Sequence, residues 1–65
     1  MDKDILLNMD PYMALSIINM KLRDEFNSLE DFSSYYNMKR EDIEEKLKVI
    51  EYHYDIVSNS FVAFS

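Results

Sequence analysis

The side chains able to do chemistry are few and scattered. Glu51, His53 and Asp55 alternate along one segment, so in an extended strand all three would share a face. Two carboxylates and an imidazole can ligate a metal, but this chain has one histidine and no cysteine, and metal sites usually draw on a second His or Cys. An exposed polar strand face explains the same alternation. The acidic pairs Asp24-Glu25, Glu30-Asp31 and Glu44-Glu45 are neighbours in sequence. On a helix such neighbours point about 100° apart, which argues against shared acid–base work. No serine or lysine has a recognisable base beside it, and a glycine-rich phosphate loop cannot exist in a chain without glycine. The residues therefore suggest no enzyme, with no catalytic residue, metal, cofactor or small-molecule substrate inferred.

Composition narrows the partners. With 65 residues the chain forms one domain at most, and a core this small supplies only about 3–5 kcal/mol unless something reinforces it. Disulfides are ruled out by composition, and a metal site is poorly served by one histidine. Helix packing and self-association remain. The apolar run Ile5 to Leu7 is too short for a signal peptide or a membrane-spanning helix, and zero cysteine suits a reducing compartment, so a cytoplasmic protein without membrane contact is expected. Thirteen acids against seven bases give a net charge of −6, which repels nucleic-acid backbones and anionic lipid.

The elements that must position any site follow from periodicity. Residues 10–26 are the longest helical segment, opened by Asp10 as cap and Pro11 at the first helical position. Leu15, Ile18, Leu22 and Phe26 form its core stripe. Met13, Ile17 and Met20 form a second apolar stripe on nearly the opposite side. One core cannot cover both, so the second is the candidate surface for binding another copy or a protein partner. The intramolecular alternative is that Ile5–Leu7 or the C-terminal Val62 and Phe64 fold over it. Methionines suit an adaptable contact.

Ser28 with Asp31 has the spacing of a capping box and opens a short second helix bearing Leu29, Phe32 and Tyr36. A third begins near Arg40 with Ile43, Leu47 and Ile50 on one face, acids in its first turn and no good cap at Lys39. With no glycine available, Asn27, Asn37 and Asn59 are the expected turn residues. From Glu51 the period becomes 2. Tyr52, Tyr54 and Ile56 form one face of a strand, and a turn over 57–60 leads to a second β-prone run over 61–64. Such a hairpin must pack on the helices to be stable.

Phe32, Ser33, Tyr36, Asn37, Met38 and Ile43 follow the residue order of a helix-turn-helix, with the hairpin in the place of a wing. The fold expected is mainly α with a β component (α+β): three short helices in a helix-turn-helix-like arrangement, then a C-terminal hairpin. Residues 1–9 are a loosely held arm and 10–65 a single domain. DNA binding does not follow, because the segment 39–48 holds four acids against four bases, in which Asp42–Lys46 and Glu44–Lys48 are favourable i,i+4 pairs.

The run Asn19-Met20-Lys21-Leu22-Arg23-Asp24, preceded by Met9-Asp10-Pro11 and Leu15-Ser16, resembles the signature of a family of short bacterial proteins known as domain of unknown function 4250. The resemblance extends from about Met9 to Phe61 through Ser28-Leu29, Ile43, Lys46-Leu47, Ile50, Tyr52, Tyr54-Asp55 and Asn59. Members tend to carry glycine where this chain has Glu51. The resemblance implies bacterial origin and no particular chemistry. The polar signature residues Asn19, Lys21, Arg23 and Asp24 have two physical readings. Asn19 and Arg23 either bond to carbonyls at the ends of neighbouring helices and fix their docking, or Arg23 with Lys21 anchors a carboxylate or phosphate of a partner. The first is favoured, since buried polar groups usually serve packing. The function expected is a non-enzymatic protein–protein interaction module, self-associating or binding another protein. The alternative is a small winged-helix-like nucleic-acid-binding regulator.

Overall fold

Asp10 caps the longest helix as its position foretells, its carboxylate accepting from the N–H groups of Tyr12 (3.0 Å) and Met13 (3.2 Å). In a computed structural model that describes residues 2–64, this helix is the second of four. The elements are α1 (Lys3–Asn8), α2 (Pro11–Asp24), α3 (Leu29–Tyr35), α4 (Arg40–Lys48), β1 (Tyr52–Asp55) and β2 (Ser60–Ala63). Both strands lie in one antiparallel hairpin, with Tyr54 opposite Phe61 and His53 opposite Val62.

The core is drawn from every helix and from β2: Leu6, Ala14, Ile18, Leu22, Leu29, Phe32, Ile43, Leu47 and Phe61 are buried. On α2 the buried line runs through Ala14, Ile18 and Leu22, while Leu15 and Phe26 are half-buried at its margin. The core arc is thus rotated toward Ala14 from the expected Leu15–Phe26 stripe. A small side chain at position 14 lets neighbouring elements approach the α2 backbone closely. Phe26 instead joins an aromatic group with Phe32, Tyr35 and Tyr36, at centroid separations of 5.4 to 5.8 Å.

Ser28 caps α3 by accepting from the Asp31 N–H at 3.1 Å, one half of the expected box. Ser33, the small residue of the helix-turn-helix pattern, is buried, and its hydroxyl donates to the Leu29 carbonyl at 2.9 Å. Asn37 takes φ 56° in the turn, and the Met38 N–H returns to the Ser33 carbonyl at 2.8 Å. α4 starts at Lys39 without a side-chain cap, as expected, and buries Ile43 and Leu47. The α3–turn–α4 unit is helix-turn-helix-like, and the hairpin follows it.

Four details differ from expectation. Residues 3–8 are not a loose arm but a helix, capped by Asp2 and anchored by the fully buried Leu6. Lys46 does not pair with Asp42; its ammonium donates to the carbonyls of Leu7 (3.0 Å) and Met9, holding the C-terminal end of α1. Glu44 pairs with Arg40 rather than Lys48. The hairpin turn occupies 56–59, one residue early, so Ile56 sits in the turn facing solvent instead of on the inner face with Tyr52 and Tyr54. Asp55 explains the shift, since its carboxylate accepts from both the N–H and the hydroxyl of Ser58 (3.1 and 2.7 Å) and closes the turn there. Those bonds hold the Asp55 carboxyl below the ordinary aspartate range.

Candidate functional site

Two asparagines join the hairpin to α2. Asn19, in mid-helix, accepts from the Phe61 N–H through Oδ1 (2.8 Å) and donates from Nδ2 to the Phe61 carbonyl (3.1 Å). Its carboxamide thus acts as the peptide group of a neighbouring strand and satisfies the outer edge of β2. Asn59, at φ 50°, donates from Nδ2 to the carbonyls of Leu22 (3.0 Å) and Phe26 (3.1 Å), where α2 ends. Its Oδ1 accepts from the Tyr54 hydroxyl at 2.6 Å, and that hydroxyl accepts from the Leu29 N–H, the first residue of α3, at 3.2 Å. One chain of bonds therefore closes the end of α2, the start of α3 and the hairpin.

The Asn19 linkage agrees with the docking account of the signature in kind. Its target, however, is a strand backbone group and not a helix-end carbonyl. Nothing in sequence marks Tyr54 as a polar linker. The signal available was Asn59 itself, whose left-handed conformation aims its amide back at the helix.

Arg23 does not dock anything. Its side chain is 73% exposed and forks onto the adjacent Asp24 (3.0 and 3.2 Å), which raises the guanidinium pKa and lowers that of Asp24. Lys21 carries a largely buried stem and pairs with Glu25 at 3.1 Å, a bond that raises its pKa. The two cations have separate carboxylates and do not form one anion anchor.

Beside these linkages α2 and the hairpin enclose an open groove of about 810 Å³, walled by Leu15, Ser16, Met20 and Arg23 on one side and Ser58 and Ser60 on the other. Asn19 and Asn59 lie in it but have their partners. Among the described residues, no buried side-chain nitrogen or oxygen lacks a hydrogen bond, so none is left aimed at a ligand.

The second stripe of α2 lies open: Met13 is 58% and Met20 45% exposed, and Ile17 is half-buried. Of the segments that could cover it, Leu7 and Val62 are half-buried and the other three residues are engaged or exposed. Leu6 enters the core, Ile5 faces solvent, and Phe64 stacks on His53 at 4.9 Å.

The remaining candidates are dispersed. His53 and Glu51 are exposed, Asp55 serves the turn, and among the described residues no three His, Asp or Glu side chains converge as metal ligands. On α4, Arg40 is held by Glu30 and by Glu44 (3.3 Å), lies over the Tyr54 ring at 5.7 Å, and has its pKa raised by those carboxylates. The exposed residues of that helix are Glu41, Asp42, Glu45 and Lys48. Among the described residues no helix is long and apolar enough to cross a membrane.

No curated protein and no solved structure matches the chain. One family, a domain of unknown function (DUF4250), matches residues 8–61, a span that takes in Asn19, Tyr54, Asn59 and Phe61.

Proposed function

The chain belongs to the DUF4250 family, and we propose that it is a non-enzymatic protein–protein interaction module that pairs with itself through α2. The observation that supports this is the apolar stripe Met13–Ile17–Met20 on the longest helix, its two methionines exposed and Ile17 half-buried between them. A 65-residue domain has a small core, and burying such a stripe against a second copy reinforces it. Flexible thioether side chains are suited to adaptive packing there.

The nucleic-acid reading draws on the α3–turn–α4 geometry alone. Fold does not fix function, and the acids on the exposed side of α4, with Arg40 engaged between two glutamates, leave little cation for phosphate. The protein-binding reading is therefore preferred, in a cytoplasmic bacterial setting.

Sedimentation velocity of wild type and Ile17→Asp tests it. A wild-type dimer that the substitution dissociates, with helical circular dichroism retained, supports the α2 interface. A wild-type protein that stays monomeric overturns self-association.

A further inference from the structure

The hairpin has two edges, and the chain closes one of them. The Phe64 N–H donates to the Glu51 carbonyl at 3.0 Å, and the register pairs His53 with Val62 and Asp55 with Ser60. Glu51, His53 and Asp55 are therefore the residues that bond across the hairpin. Tyr52 and Tyr54 fall between them, in the alternate pairs whose main-chain groups face away from the partner strand. Phe61, opposite Tyr54, holds the same position on β2, and its outward N–H and carbonyl are the groups that Asn19 takes. β1 has no such cover: among the described residues no hydrogen bond reaches the main-chain N–H or carbonyl of Tyr52 or Tyr54.

Open strand edges are ordinarily blunted by lysine, proline or a bulge. Tyr52-His53-Tyr54-Asp55 carries no lysine or proline, and its register is unbroken. Beside it lies a hollow of about 220 Å³ between β1 and α4, lined by Glu44, Lys48, Tyr52, His53, Tyr54 and Phe64. An open edge with room alongside is what strand addition requires. We propose that the β1 edge binds an extended, basic segment of another protein, which adds to the hairpin as a third strand. This surface is separate from the α2 stripe, and the inference goes beyond the self-association reading.

The main-chain groups call for an extended backbone, and charge selects which one. An antiparallel third strand bonds to the N–H and carbonyl of both Tyr52 and Tyr54 and sets its central residue opposite His53. There His53 stacks on the exposed Phe64, so an apolar central side chain extends the stack. Residues two places to either side come to Asp55 and to Glu51, where opposite charge is favoured. Glu51 has no ion-pair partner among the described residues. A neighbouring hollow on α4 shares Glu44 and Lys48 with the first and adds Glu41 and Glu45, so the approach to the edge is acidic too. A second copy is the poorer occupant. β1 paired with itself about His53 brings Glu51 of each copy to Asp55 of the other, like charge against like, on chains of −6.

Amide chemical shifts of the full chain, titrated at low salt with the capped heptapeptide TKTVTKT, test this. Saturable shifts should centre on Tyr52, His53 and Tyr54, with Kd below about 1 mM. N-methylation of the two threonines that flank the valine keeps the peptide's charge and removes the donors that face the edge, so affinity should fall about tenfold. In Glu51→Lys, an exposed position, the preference for TKTVTKT over the acidic TETVTET should narrow about fivefold. Ile17→Asp should bind the peptide as wild type does, which keeps this surface distinct from α2. Equal binding of the N-methylated peptide would reduce the effect to attraction between opposite charges and overturn strand addition. An affinity weaker than about 1 mM, or shifts centred on α2, overturns the site. An unchanged preference in Glu51→Lys overturns the basic occupant, and peptide-free Tyr52 and Tyr54 shifts that change on dilution assign the edge to a second copy instead.

Discussion

Glu51 leaves α4 with φ 64°, in the region where a residue bearing a Cβ is strained by roughly 1–2 kcal/mol and glycine is not. Its side chain is exposed, so little packing offsets that strain. Glu51→Gly is expected to stabilise the fold by about 0.5–1 kcal/mol, after the greater freedom of glycine in the unfolded chain is subtracted. A thermal melt should rise by several degrees; an unchanged or lower midpoint would show that the exit from α4 carries no strain. The Tyr54–Asn59 pair makes a different demand, because its members act as one unit. Tyr54→Phe leaves the Leu29 N–H without its acceptor and should cost about 1–2 kcal/mol, and Asn59→Ala, which removes three bonds, about 2–3 kcal/mol. The double variant should fall short of the sum by about 1 kcal/mol in denaturant titrations. Strict additivity would mean that the Tyr54 hydroxyl and the Asn59 amide act independently.

At the scale of elements, α1 depends on a cation supplied by another helix. The Lys46 ammonium is the donor for the Leu7 and Met9 carbonyls, and Leu6 is the anchor. Lys46→Met keeps an apolar stem and removes the donor. Amide exchange should then quicken across 3–8 while α2 to α4 keep their protection, with a cost of about 1 kcal/mol. Uniform protection loss would show that α1 is integral to the global unit. This helix also marks the limit of what the residues disclose. α2, α3, α4 and the hairpin were legible because each has a cap, a turn asparagine or several turns of periodicity: Asp10-Pro11, Ser28, Asn37, and the alternation after Glu51. Six residues with one buried leucine have no measurable period, and the hint that remained, Asp2 ahead of Ile5-Leu6, is a pattern that many loops share. The site was legible only in part for a similar reason. The Met13–Ile17–Met20 stripe follows from spacing on one helix, whereas the Asn19–Phe61 linkage joins positions 42 apart in the chain and depends on tertiary docking.

The whole molecule carries −6, and two copies brought together repel. Added salt screens that repulsion, the Debye length being about 8 Å at 0.15 M, so self-association should tighten from low salt to that range. Binding to duplex DNA would respond in the opposite sense, because displaced counterions make phosphate contacts weaken with salt. One salt series, read by sedimentation for self-association and by fluorescence anisotropy for a labelled duplex, therefore separates the readings. The expected outcome is a dimer strengthened by salt and no sub-micromolar DNA affinity at about 150 mM. The reverse pattern would transfer the helix-turn-helix-like unit to nucleic-acid recognition.

The Asn19 linkage addresses only main-chain atoms of Phe61. Every amino acid except proline presents the same N–H and carbonyl, so the demand on the two positions is unequal. Position 19 needs a carboxamide of that reach, while position 61 needs only to be apolar and not proline. Substitutions at the two sites would drift without reference to each other. Methods that find contacts from paired substitutions would then be blind to the bond that seats the hairpin on its helix, although it is among the most specific in the molecule.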